Sequence, residues 1–94
     1  MASGSAAGTL HYVGNDAPFR ISSKHGGGML LVDAGCELDG YTSDITRCIP
    51  LGNGGKFTKE CKDIYELVLE MQEEAFPMIK PGANWEDVQL KMCV

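Results

Sequence analysis

Two aspartates, Asp33 and Asp44, stand eleven positions apart in the stretch MLLVDAGCELDGYTSDITRC, residues 29–48. An apolar run climbs to Asp33, and a second strand-like run carries Asp44, Ile45, Thr46 and Arg47. Asp39-Gly40, a strong hairpin-turn dipeptide, lies between them. Asp33 pairs with Asp44 if the loop centres on Leu38-Asp39, or with Thr46 if Asp39-Gly40 is a clean two-residue turn. The first register needs a bulge or a longer loop, and that is the expectation. Either way the acids fall on neighbouring strands, with Cβ atoms on the order of 5 Å apart for direct neighbours. Like charges so placed repel, and a bound cation is the economical reason to keep them.

Two carboxylates offer at most four of the roughly six oxygen ligands that Mg²⁺ or Mn²⁺ prefers, so they form one side of a site. The competing reading, of equal weight from pattern alone, has Asp33 capping the turn at Ala34-Gly35 and Asp44 as an ordinary surface acid. Thr46 follows Asp44 by two residues and projects to the same strand face, where its hydroxyl can orient a ligand. Arg47 points the other way and is expected in a structural ion pair. His11 sits in a β-prone run, where a histidine is more often structural. It can donate to a substrate carbonyl or a developing anion only if the fold brings it near the acids. His25, in a glycine-rich loop, carries no signal.

The elements that position these residues follow from pattern. Residues 1–8 are small and polar and predict little. Residues 9–13 (TLHYV) read as a short strand, stopped by the turn chemistry of residues 14–18. Phe19 and Ile21 alternate with polar neighbours as a brief strand would. Gly26-Gly27-Gly28 leads into a strand rather than a helix, so it reads as a tight turn and not a phosphate cradle. Residues 29–33 are apolar on both faces, which predicts a sheet covered on both sides. After a loop at residues 50–56, Thr58 is a good N-cap. Cys61, Ile64, Tyr65, Val68, Met71 and Ala75 then trace the stripe of an amphipathic helix. Lys59 and Asp63 are an i, i+4 pair on its other face. Pro77 kinks or ends this helix, and Pro81-Gly82 ends it. Asn84 caps a second helix, with Asp87 three residues on and Trp85, Val88 and Met92 on one face. Strand, hairpin, long helix and short helix make an α+β arrangement, an antiparallel β-hairpin sheet covered by helices.

At 94 residues the chain holds at most one small domain. Its hydrophobic content of 44% is globular, and its charged content of 22% argues against a disordered tail. A net charge of −5 without a basic run makes nucleic acid and anionic membranes poor partners. No apolar stretch approaches the roughly 18 residues that span a bilayer, and the opening MASGSAAG is no signal peptide, so a cytoplasmic location is expected. Cys36, Cys48, Cys61 and Cys93 form no CxxC pair and read as reduced, mostly buried thiols.

The segments TLHYVGND, LLVDAGCELDGYTSDITR, GKFTKECKDIYELVLEMQ and IKPGANWEDV together resemble the catalytic domain of the Xaa-Pro peptidases, aminopeptidase P and prolidase. The likeness runs from about Ala2 to Leu90. Its most specific part is the DAG beginning at Asp33 and the DITR beginning at Asp44, with ten residues between the aspartates. The resemblance implies a pita-bread (creatinase/aminopeptidase) fold, of which 1–94 is the first half of a catalytic domain. It implies two divalent metal ions, manganese foremost with cobalt or zinc as alternatives, held by two Asp, one His and two Glu. Asp33 and Asp44 match the two Asp positions, and His11 matches the histidine that contacts substrate near the scissile bond. In such sites a metal-bridged hydroxide attacks the peptide carbonyl, one metal polarises that carbonyl and the other anchors the free amino terminus. The implied substrate is a peptide with proline at the second position, and the resemblance leaves a homodimer open for the full-length parent.

The family's remaining ligands, one His and two Glu, match nothing after Asp44, so the chain on its own is expected to be inactive. Cys48, where the family more often has Thr, and Pro77 within the helix are smaller departures. Two alternatives stand beside the enzyme. One is a non-catalytic pita-bread member serving as a binding or scaffold domain. The other is a truncated product whose exposed helix stripe drives self-association.

Overall fold

The computed structural model describes residues 1–16 and 28–93. The expected strand at Phe19 and Ile21, His25, and the Gly26-Gly27 part of the tight turn lie outside the described residues. The chain divides into two compact units, Met1–Cys61 and Lys62–Val94.

The first unit is built on a three-stranded antiparallel sheet. Its order is β1 (Ala2–Ser3), β2 (Gly28–Ala34), β5 (Ile45–Leu51), and β3 (Glu37–Leu38) pairs with β4 (Tyr41–Thr42) at the hairpin tip. The small residues at the N-terminus prove structural: Ala2 pairs with Leu31 and is buried, and a 3₁₀ turn at Gly4–Gly8 follows. Residues 9–13 are not a strand. The Thr9 amide closes onto the Ala6 carbonyl at 3.0 Å, and Leu10 and Val13 stay exposed. β-Propensity without a partner strand or an apolar surface to pack on does not make a strand.

Strand alternation sorts the sheet into two faces. Leu30 and Val32 of β2 lie opposite Ile49 and Arg47 of β5, while Leu31 and Asp33 lie opposite Cys48 and Thr46. Only Leu30 of β2 is buried, and Ile45 and Ile49 are about half exposed, at 56% and 47%. Among the described residues β2 is therefore covered only in part on each face: Leu30 is buried, and Met29, Leu31 and Val32 are half-buried. The thiols also differ from expectation. All four are free, but Cys36 at the hairpin and Cys93 after the last helix are exposed, while Cys48 and Cys61 are half-buried.

The helices form as their caps and stripes predict. The Cys61 amide donates to Thr58 Oγ1 at 3.3 Å at the start of α1 (Lys59–Ala75). The helix stops at Ala75, where Phe76–Met78 tightens into a 3₁₀ turn carrying Pro77. In α2 (Trp85–Met92) the Glu86 amide donates to Asn84 Oδ1 at 3.0 Å. Within the second unit Val88 and Ala75 are the buried residues, and Lys91 pairs with Glu74 at 3.0 Å. Trp85 does not share the burial of Val88 but is 70% exposed. On α1, Ile64, Leu67, Val68 and Leu69 are also exposed. Fully burying any one of these aliphatic side chains is worth about 1.5–3 kcal/mol. The chain is accordingly expected to self-associate at micromolar concentrations and to elute above its 10.1 kDa monomer on size exclusion, with Val68→Lys shifting it toward monomer. A sharp monomer peak with a cooperative melt would count against this. Asn84→Ala should cost about 1 kcal/mol in a denaturant melt of α2.

Candidate metal centre

The hairpin adopts one register from end to end. Asp33 lies opposite Thr46 and Ala34 opposite Ile45, and beyond them Glu37 pairs with Thr42 and Leu38 with Tyr41. Asp39 and Gly40 at the tip have φ of 51° and 81°. Positive φ at both central residues gives a turn whose twist matches that of its strands. The expected bulge or longer loop is thus absent, and the Asp33–Thr46 pairing is the one formed. What interrupts the ladder is local. The Ser43 amide still donates to the Cys36 carbonyl at 2.8 Å, but the Cys36 amide donates to Ser43 Oγ at 3.2 Å. A side-chain oxygen stands in there for a backbone one, and no residue is inserted.

This register changes the relation between the acids. They are diagonal rather than directly opposed, with Asp44 two residues before the partner of Asp33. Diagonal neighbours are roughly 7–8 Å apart between Cα atoms, so their mutual repulsion is weaker than for a facing pair. Asp33 lies within β2, and Asp44 immediately precedes Ile45, the first residue of β5. Thr46 Oγ1 donates to Asp33 Oδ1 at 2.8 Å. That bond fixes one carboxylate oxygen across the strand pair, where the alternative had Asp33 capping the turn that follows it. Thr46 was expected to serve the acids, and the structure gives it Asp33 as partner. The Arg47 guanidinium donates to the Thr46 carbonyl at 2.8 Å, and among the described residues this contact takes the place of the expected ion pair.

His11 is exposed, in the turn-rich segment after the 3₁₀ turn. It lines a cavity of about 240 Å³ with Tyr12, Asn15, Leu31 and Asp33, among others. The fold thus brings His11 to the edge of the first acid, while Asp44 lies outside that cavity. Asn15, whose φ is 48° and whose Oδ1 accepts the Met1 ammonium at 2.6 Å, shapes this wall. Its Asn-Asp sequence read only as a turn. Ser43 was also missed, and nothing but its position across from Cys36 could have revealed it.

Among the described residues no three His, Cys, Asp or Glu side chains cluster as a metal site would require. The two exposed carboxylates fit a hard divalent cation only as a partial set of oxygen donors, with one Asp33 oxygen already accepting from Thr46.

The profile of metallopeptidase family M24 matches residues 1–93. The chain belongs to this family. It is 53% identical over 90 residues to the "Probable Xaa-Pro aminopeptidase pepP" of Metarhizium acridum, covering 96% of this chain and 17% of that protein. It is 52% identical over 90 residues to the pepP of Metarhizium robertsii, covering 96% and 18%. It is 54% identical over 86 residues to the "Uncharacterized peptidase YFR006W" of Saccharomyces cerevisiae, covering 92% and 15%. The M24 chain thus spans less than a fifth of the length of these relatives. No solved structure matches it. Among the described residues no helix is long and apolar enough to cross a membrane.

The Thr46–Asp33 bond can be tested by substitution. Thr46→Val, which keeps the shape and loses the hydroxyl, is expected to lower Mn²⁺ affinity about 10–100-fold, and Thr46→Ser to retain most of it. Equal affinity of all three chains in a Mn²⁺ titration followed by water-proton relaxation would make the bond incidental.

Proposed function

We propose that this segment supplies part of the catalytic centre of a dinuclear-metal aminopeptidase or dipeptidase that hydrolyses X–Pro bonds. The observation that supports this is the hairpin of an M24 chain, in which Asp33 pairs with Thr46, two residues after Asp44, and His11 lines a cavity with Asp33. The naming of its relatives as Xaa-Pro aminopeptidases supports the bond class. In this reading the segment is the first half of a pita-bread catalytic domain.

Asp33 and Asp44 would hold the cations, with manganese as the foremost candidate. When bound, two divalent ions supply Lewis-acid polarisation of the scissile carbonyl and a water of lowered pKa. Thr46 keeps the Asp33 carboxylate in one orientation. His11 donates a hydrogen bond to the substrate carbonyl or to the charge that develops on it. The peptide carries proline at its second position. The four free thiols support a reducing compartment, the cytoplasm.

In a protein that carries this segment together with the family's remaining His and Glu ligands, Mn²⁺-dependent release of the residue before proline is expected. Asp33→Ala or Asp44→Ala should each lower kcat/KM by more than about 100-fold, beyond the effect typical of losing a supporting residue around a metal. Full turnover in either variant would sink the assignment. The 94-residue chain alone is expected to show no turnover with Mn²⁺ and an X–Pro peptide, since two of five ligands do not complete a hydrolytic site. Turnover by the chain that is abolished in Asp33→Ala would contradict that corollary.

A further inference from the structure

Gly35 lies directly across the hairpin from Asp44, at the point where the regular ladder of β2 and β5 breaks off. Its φ is not positive, so no left-handed turn calls for glycine there. Space does. A Cβ built on Gly35 would overlap the Ser43 carbonyl oxygen, lie 2.9 Å from the Ser43 carbonyl carbon and 3.3 Å from Asp44 Cα. All three atoms are backbone, so no side-chain rotation relieves the overlap. The Ser43 carbonyl has turned toward Gly35, and Ser43 Oγ serves the Cys36 amide in its place. The backbone entering Asp44 is therefore seated against a position that only glycine can leave empty.

We infer that Gly35 is a positioning residue: its missing side chain lets the Ser43–Asp44 backbone close onto β2 and so sets where the second acid stands relative to the first. This rests on the proposal that Asp33 and Asp44 hold a divalent cation. Asp33 is placed independently, by its pairing with Thr46 and by the Thr46 hydroxyl. Any side chain at position 35 moves Asp44 and leaves Asp33 in place. A site that needs both acids then loses one of them without a ligand being mutated.

The test uses the whole 94-residue chain, by two-dimensional NMR with Mn²⁺ alone as the probe. In the unsubstituted chain, a Gly35 Hα–Asp44 Hα cross-peak is expected, and Mn²⁺ should broaden the Asp33 and Asp44 resonances together. In Gly35→Ala, Asp33 should keep its cross-peaks to Thr46 while Ser43 and Asp44 shift, and Mn²⁺ affinity should fall at least about 10-fold. Adding Asp44→Glu to that variant lengthens the displaced arm and should recover part of the affinity. Ser43→Ala serves as a second variant should Gly35→Ala fail to fold. It removes the oxygen that serves the Cys36 amide, draws the Ser43 carbonyl back toward the ladder, and should also weaken Mn²⁺ binding. No Gly35–Asp44 cross-peak, or full Mn²⁺ affinity in a folded Gly35→Ala or Ser43→Ala chain, overturns the inference. An unsubstituted chain that keeps the cross-peak but binds no Mn²⁺ overturns the cation reading itself, and the positioning role falls with it.

Discussion

The two-residue turn at Asp39-Gly40 constrains every feature of the candidate site. With both residues at positive φ, the chain reverses without an inserted residue, and the pairing of β2 with β5 follows from that count. A slip of one residue would send Asp33 and Thr46 to opposite faces of the sheet and part the hydroxyl from its carboxylate. The register also decides that the two acids meet diagonally. Their mutual repulsion is then weaker than for a facing pair.

Around that frame the chain uses short polar groups to correct what the ladder alone would impose. The Thr46 hydroxyl holds Asp33, and the Ser43 hydroxyl replaces a backbone acceptor where the strands part. Gly35 yields the space in which they part. Each substitution of side chain for backbone leaves the register intact and changes only the direction of an atom.

The hydrophobic content of the chain is poorly matched to the burial it achieves. Ala2, Leu30, Ala75 and Val88 are its buried apolar residues among those described, while β5 and α1 leave isoleucines, leucines and valines exposed. The relatives it matches are five or more times longer. The helices nonetheless form, because capping and amphipathic spacing are satisfied within a few residues of sequence.

What the sequence determined by itself was whatever depends on near neighbours. The Thr58 and Asn84 caps, the stop before Pro77 and the Asp39-Gly40 reversal were legible there, as was the M24 family through DAG and DITR. The likeness to Xaa-Pro peptidases was legible for the same reason, since residue types at fixed spacing survive without a structure. Only the tertiary structure decided that residues 9–13 are not a strand, because propensity has no effect without a partner to pair with. It decided too that Ala2 is an edge-strand residue, that Asp33 faces Thr46 rather than Asp44, and that His11 shares a cavity with Asp33. These are relations between residues distant in the chain, set by which backbones pair and which side chains find cover, and no local pattern contains them.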